Sequence, residues 1–429
     1  MMKVLVVSGE YPPMKGGVGR YTFNLVHALA KKSNIYVSVA ISAAAPHATT
    51  PSAASPKSNK VTLYPGIVRK GDKHNSDHLL QLVSETKPDI VNIQYERGLY
   101  EVDTTIRHTI WRLVHGSTLD RFYRKCPVPI VSTLHTVFPQ EEYRSYVKDR
   151  ALRKEGRFGF LPMPLRAAIR RWVMEQRYDL LLEVVRLSDG IISPARTIKD
   201  IVRRGTVIYH GAEPNIEVSS SANDKQQLRN EFGLPSDKML LLAFGYAGSY
   251  KGFDVLGSLR LPDGWSLVVK QTKHERGSEK PIDVRKSGDS NVITLHLGYL
   301  DDSTLSKLFF ACDAIIFPYK IVSISGVMFD ALAHGLPFVA SDLRFFKEFA
   351  DMGLGIVCKR TTQSFERSIS TLALKYDEYK ITVEQFRSKL QWSNIANKHI
   401  EFFSGLISQC SNSESAATKY ENSRRKQAL

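Results

Sequence analysis

Residues 315–342, I-I-F-P-Y-K-I-V-S-I-S-G-V-M-F-D-A-L-A-H-G-L-P-F-V-A-S-D, constrain the fold more tightly than any other stretch. They read strand, turn, helix, strand. Residues 315–317 are a short apolar run closed by Pro318. Ser323 or Ser325 can cap a helix, because a serine oxygen accepts from the free N–H groups of the first turn. Val327, Ala331 and Leu332 share one helical face, and Met328 widens it. Gly335 stops the helix and Pro337 opens a second strand over 338–340. A helix beginning at serine and glycine is also an anion seat, since its first N–H groups point outward and its dipole favours negative charge. Asp330 lies about one turn inside that helix. The stretch is therefore either an ordinary capped strand–helix–strand unit, or a phosphate site with a sugar hydroxyl on Asp330.

The same alternation runs through the rest of the chain. Residues 3–8 (K-V-L-V-V-S) read as a strand buried on both faces, the usual opening of a parallel sheet. Tyr11-Pro12-Pro13 leads to Gly16-Gly17-Val18-Gly19, and an amphipathic helix is predicted over 20–31. Gly17-x-Gly19 invites a dinucleotide-binding reading, but Thr22 stands where the third glycine should be, and the loop is too long for that motif's tight turn. The glycines fit better as a mobile loop whose N–H groups approach a phosphate or an acceptor. Strands are expected over 34–41, 61–64, 89–94, 129–133, 189–193 and 206–209, with helices over 76–85 and 197–204. Glu96 lies just past the strand D-I-V-N-I-Q, where open α/β sheets place ligand contacts. His135 follows the strand at 129–133 into a loop. It reads as a structural hydrogen-bonder or as a site residue. Residues 42–60 and 219–224 have loop and linker composition.

A second domain is expected to repeat the pattern, with a helix over 224–232. Its strands are expected over 239–244, 265–270, 292–297 and 353–357, with a helix over 302–310. Gly245-Tyr246-Ala247-Gly248-Ser249-Tyr250-Lys251-Gly252 follows the first of these strands. A glycine loop with one lysine suits a diphosphate, through backbone N–H groups and a point charge. Two further helices are expected, the last carrying W-S-N-I-A. Polar residues 411–429 are expected to be disordered.

Composition narrows the partners. The formal net charge is +16 over 429 residues, which suggests an anionic partner such as nucleic acid, a membrane surface or a phosphorylated substrate. No nucleic-acid motif accompanies the charge, and none is expected as a partner. Between Arg144 and Arg186, basic Lys148, Arg150, Arg170, Arg171 and Arg177 interleave with apolar Met163, Leu165, Ile169, Trp172 and Val173. That pattern fits either an anionic bilayer surface or a helix packed on the sheet with arginine stems alongside. Four scattered cysteines argue against structural zinc and a disulfide framework, and fit a reducing compartment. The opening apolar run is too short for a signal peptide, and no run approaches a membrane span of ~20 residues. A cytoplasmic protein is expected, peripheral at most on the inner face of a membrane.

Six segments in order resemble glycosyltransferase family 4: E-Y-P-P-M-K-G-G-V-G-R-Y, V-S-T-L-H-T-V-F-P, V-I-Y-H-G-A-E-P, the glycine loop with Lys251, residues 318–342, and the W-S-N-I-A helix. The resemblance implies a GT-B fold, two Rossmann-like doubly wound domains facing a cleft. It implies an N-terminal acceptor-side domain over 1–214, a donor domain over 215–390 and a closing helix over 391–410 that returns to the first domain. The activity implied is metal-independent, retaining sugar transfer from a nucleotide-sugar to a glycan or lipid-linked acceptor, with no cofactor. Catalytic roles fall on His135 and Asp330. Donor binding falls on Gly245, Lys251, Ser325, Gly326, Val327 and Glu348, and the acceptor side on Gly16, Gly17 and Glu96.

Two positions depart from the family pattern. Val322 stands where the family has its first glutamate, and Tyr246 where it has an arginine. Lys270, Lys320 or Arg344 could substitute for the lost contacts. A non-catalytic nucleotide-sugar-binding or scaffold subunit of the same fold is the main alternative, and a hydride-transfer enzyme a distant one.

Overall fold

The computed structural model describes residues 1–42, 60–101, 117–152, 162–216, 222–273, 281–282, 284 and 291–411. The expected loop at 42–60 falls largely outside these residues, as do 219–221 of the expected linker and the tail from 412, while 222–224 of that linker are the first turn of a helix. The chain divides into two compact units. One holds Met1–Val137, Val147–Gly211 and the C-terminal segment from Trp392; the other holds Phe138–Tyr146 and Ala212–Gln391.

In the first unit, elements follow in the order β1 (Met2–Ser8), α1 (Gly17–Ala30), β2 (Ile35–Ser42), β3 (Val61–Val68), α2 (Asn75–Thr86) and β4 (Ile90–Tyr95). Next come α3 (Arg97–Tyr100), α4 (Asp120–Lys125), β5 (Ile130–Leu134), α5 (Gln140–Leu152), α6 (Met163–Leu187), β6 (Gly190–Ser193), α7 (Arg196–Val202) and β7 (Thr206–Val207). Seven parallel strands lie in the order β3-β2-β1-β4-β5-β6-β7. Every residue of β4, β5 and β6 is buried, which is why these runs lack polar alternation.

The second unit contains α8 (Ala222–Glu231), β8 (Met239–Tyr246), β9 (Trp265–Thr272), β10 (Val292–Thr294), α9 (Asp302–Ala311), β11 (Ala314–Phe317) and α10 (Gly326–Ala333). It continues through β12 (Phe338–Ser341), α11 (Arg344–Ala350), β13 (Gly355–Cys358), α12 (Thr362–Leu374) and α13 (Tyr376–Arg387). Six parallel strands lie in the order β10-β9-β8-β11-β12-β13. The last helix, α14 (Trp392–Ser411), packs on α1, and Trp392, Ile395, Ala396 and Phe403 join the first unit's core.

Both sheets reverse direction beside their first strand, between β1 and β4 and between β8 and β11. At such a switch point the loops leaving the two strands diverge and open a crevice at the carboxyl ends. Sequence reading placed most elements within two residues. It missed α11, whose Phe345, Phe346 and Phe349 close an aromatic core with Phe317, Phe329 and Phe338. It overextended β10, which ends at Thr294.

The opposite end of the second sheet is held by charge. Asp313, 4% exposed, receives Arg229 at 2.8 Å, Lys225, and the Leu240 N–H at 2.6 Å. Arg229 also donates to the carbonyls of Ala311, Ser236 and Lys238. This ties α8 to the start of β8 and β11. Removing one partner strands a buried guanidinium, which costs ~3–5 kcal/mol. Asp313→Ala should therefore lower chemical-denaturation stability of the second unit by about that amount, and a loss under 1 kcal/mol would refute the assignment.

Candidate functional site

In the second unit, the loops leaving β8 and β11 meet through a lysine. After Gly245 (φ +150) the chain makes a short helical turn over Ser249–Lys251 and turns again at Gly252 (φ +69). A Cβ on Gly252 would overlap the Pro318 carbonyl, so only glycine lets the loops approach this closely. Arg360 clamps the junction, donating to Pro318 O at 2.9 Å, Gly252 O at 3.1 Å and Asp254 at 2.6 Å. Lys320 N–H donates to Tyr250 O at 2.8 Å. Lys251 folds back over Gly245, its Nζ 3.5 Å from where a Cβ would stand.

Lys251 is 8% exposed, donates to the Tyr319 hydroxyl, and lies 4.0 Å from the centre of that ring. No carboxylate answers it among the described residues. Burial alone drives its amine from the ordinary 10.5 down to about 7. The Tyr319 hydroxyl also feels Ser325, the N-cap of α10, whose Oγ accepts from Met328 N at 3.3 Å. Of the two serines open at the sequence level, Ser325 is the cap. The first N–H groups of α10, at Gly326 and Val327, have no intrahelical acceptor. A buried cation and an open helix start thus stand at one switch point, an arrangement suited to a multiply charged anion.

Asp330 is 5% exposed on α10, and Glu348 is half-buried on α11. Val322 is buried and apolar, and Tyr246 ends β8 beside Thr272. Of the substitutes for the lost arginine, Lys320 is drawn to Asp254 at 3.5 Å, and Arg344 engages Glu141 and Glu142. Lys270 is the better placed. It pairs with Phe244 across the β8–β9 ladder, is fully buried, and meets no carboxylate among the described residues. Its Nζ donates to Gly298 O at 2.7 Å, and burial lowers it to about 8.

In the first unit, the glycine segment differs from its expected form. The helix begins at Gly17, so Gly17 and Gly19 are first-turn residues rather than a mobile loop. Glu10 fills the helix mouth: its carboxylate accepts from Gly19 N at 3.0 Å and covers Gly16, where any Cβ would collide with it. A phosphate is therefore not what these N–H groups await. Gly17 has open space beside its Cα, and Glu96 is half-buried at the start of α3.

His135, 9% exposed, lies past β5 with Nε2 2.9 Å from Gln94 Oε1. Its ring sits edge-on to Tyr21 at 4.8 Å, and Tyr21 also touches His210, Trp392 and His399. Burial, then the nearby His210, push His135 down to about 3, so the ring is neutral at physiological pH. Sequence reading missed Tyr319, Glu10, Gln94 and Tyr21. Gln94 carried a signal: Asn92 and Gln94 are polar residues inside a fully buried strand, which must be satisfied internally.

Met163 and Leu165 at the start of α6 are 43% and 48% exposed, and Arg171 pairs with Glu175 at 2.9 Å. Arg153, Lys154, Arg157, Phe158, Phe160 and Leu161 lie outside the described residues. No described helix is long and apolar enough to cross a membrane.

Two Rossmann-like domains, each a parallel sheet with interleaved helices, are the GT-B architecture of glycosyltransferase structures. Residues 15–215 match the family model Glycosyltransferase Family 4. Solved structures share the fold across the chain. Sucrose-phosphate synthase from Thermosynechococcus elongatus is 14% identical, with a TM-score of 0.60 over 95% of this chain and 100% of that one. HepE of Anabaena, solved in complex with UDP-glucose, is 13% identical, with a TM-score of 0.57 over 94% and 100%. WaaG, a glycosyltransferase involved in lipopolysaccharide biosynthesis, is 16% identical, with a TM-score of 0.56 over 94% and 100%. At these identities the likeness speaks to fold. No curated protein matches the chain.

Lys251 carries a stability consequence with a definite sign. Its pKa is lower folded than unfolded, so the unfolded chain binds more protons between about pH 7 and 10.5, and stability rises with pH across that window. Lys251→Met removes the buried charge. The variant should be ~1–3 kcal/mol more stable than wild type at pH 7, with the gap closing towards pH 10. A variant less stable at both pH values would show that the lysine is a structural bond.

Proposed function

We propose that the chain is a metal-independent, retaining glycosyltransferase that moves a sugar from a nucleotide-sugar to a glycan or lipid-linked acceptor. The observation that carries this reading is Lys251, a buried amine with no counter-ion among the described residues, beside the start of α10. A diphosphate would give it the missing negative charge. As the sugar leaves, charge gathers on that diphosphate, and Lys251 with the N–H groups of Ser325, Gly326 and Val327 would stabilise it, the work a metal does elsewhere. Gly245 lets the lysine lie flat across the turn. Lys270 would supply the charge that Tyr246 does not. Asp330 and Glu348 are assigned to donor hydroxyls, and His135, in the first domain, to the sugar.

Glu10 refines the acceptor side. With its carboxylate already on α1, the surface at Gly16, Gly17 and Glu96 suits neutral hydroxyls better than a phosphate. Exposed Met163 and Leu165 in a strongly basic chain support adsorption to an anionic membrane through 144–186, consistent with a lipid-linked acceptor.

Two variants test the assignment. Asp330→Ala should raise the donor KM or abolish binding. His135→Ala should lower kcat more than affinity, by ~10-fold or more, if it acts as charge develops. Turnover would be followed with a panel of nucleotide-sugars and lipid or cell-extract acceptors. Wild-type protein that binds nucleotide-sugars yet neither transfers nor hydrolyses them across the panel would favour the binding-subunit alternative.

A further inference from the structure

We infer that Asn92 and Gln94 of β4 fix His135 as a hydrogen-bond acceptor through Nδ1, so that the group it meets is a sugar hydroxyl and not a phosphate. This deepens the assignment of His135 to the sugar and rests on it.

The relay starts from a group whose polarity cannot change. The carbonyl of Val131 only accepts hydrogen bonds. Asn92, with no exposed surface, donates from Nδ2 to Val131 O at 3.2 Å and to Thr133 Oγ1 at 3.0 Å. Its amide is thereby oriented, and Oδ1 is the atom left to face Gln94. Gln94, equally buried, must then present Nε2 to Asn92 Oδ1, and it does. Gln94 Oε1 consequently faces His135 Nε2 at 2.9 Å. An amide oxygen cannot donate, so His135 Nε2 carries the hydrogen and Nδ1 carries a lone pair. Among the described residues nothing hydrogen-bonds to that Nδ1.

A reversed relay would place the Asn92 oxygen against the Val131 carbonyl and leave two buried acceptors facing each other. Breaking such a network costs the desolvation of each orphaned group, ~1–3 kcal/mol apiece. The ring's neutrality completes the case. With His135 at about 3, the imidazolium that could donate to a phosphate is absent at physiological pH. A neutral ring with one outward lone pair repels phosphate oxygen and accepts from a hydroxyl. Gln94 touches no substrate in this account; it is a positioning residue, setting which ring nitrogen is basic.

The tautomer can be read without any substrate, so its failure is distinct from failure of the transferase reading. Full-length protein labelled with 15N on histidine would be studied by long-range proton–nitrogen correlation, with His135 identified by its loss in His135→Gln. Wild type should show the neutral Nε2–H pattern, unchanged from pH 5 to 8. Gln94→Glu keeps an acceptor for Nε2–H but adds negative charge. Its ring should keep the Nε2–H tautomer and begin to titrate inside that range. Gln94→Leu, if folded, should show mixed tautomers. A wild-type Nδ1–H pattern, or wild-type titration near 6.5, would overturn the inference. So would transfer of a proton to Nδ1 on adding UDP or inorganic pyrophosphate.

Discussion

A lysine amine sealed among aromatic rings with no carboxylate beside it is a costly thing to fold. Lys251 is in that position, and the loops around it are built to hold it there. Gly252 brings the turn against Pro318 with no room for a side chain, and Arg360 ties the same two loops by three hydrogen bonds. Asp254, the nearby carboxylate, is occupied by Arg360 and Lys320. The charges that could have neutralised Lys251 are thus spent on one another. What remains is a preorganised positive site, and preorganisation lets an electrostatic group act on developing charge without first rearranging.

The topology explains why this happens where it does. The 3-2-1-4-5-6 strand order puts the loops after the first and fourth strands on diverging paths. In the second domain these are the loops that carry Lys251 and the Ser325 cap of α10. The far end of the same sheet shows the contrast: there Asp313 is fully matched by Arg229, Lys225 and a backbone N–H. One end of the sheet is electrostatically satisfied and holds the domain together; the other is left unsatisfied. In the first domain the corresponding helix mouth is answered internally by Glu10, so the two domains share a topology but differ at this helix start.

Much of this was legible in the sequence, for stated reasons. Buried parallel strands announce themselves as apolar runs, and Gly, Pro and Ser mark the turns between them, so the strands themselves and the place of Lys251 in a glycine loop followed from local pattern. The role of Gly16 and Gly17 did not, because it depends on where Glu10 points, a question of side-chain direction in a long loop. Nor did α11, whose phenylalanines lie too close together to read as an amphipathic period; tertiary packing of those rings, not periodicity, defines that helix. The choice among Lys270, Lys320 and Arg344 likewise needed knowledge of which carboxylates lie beside each. The Asn92–Gln94 relay was half visible, as polar residues in a strand that has no solvent face.

The central claim is that Lys251 awaits a diphosphate. Calorimetry of UDP binding at pH 8, repeated in buffers of different ionisation enthalpy, tests it most directly. At that pH the free amine is largely unprotonated, since burial holds it at about 7, and a diphosphate can bind well only to the ammonium form. The account predicts net uptake of a proton on binding, lost in Lys251→Met, and affinity that weakens as pH rises above 7. Binding with no proton uptake, or with uptake unchanged in the variant, would contradict it.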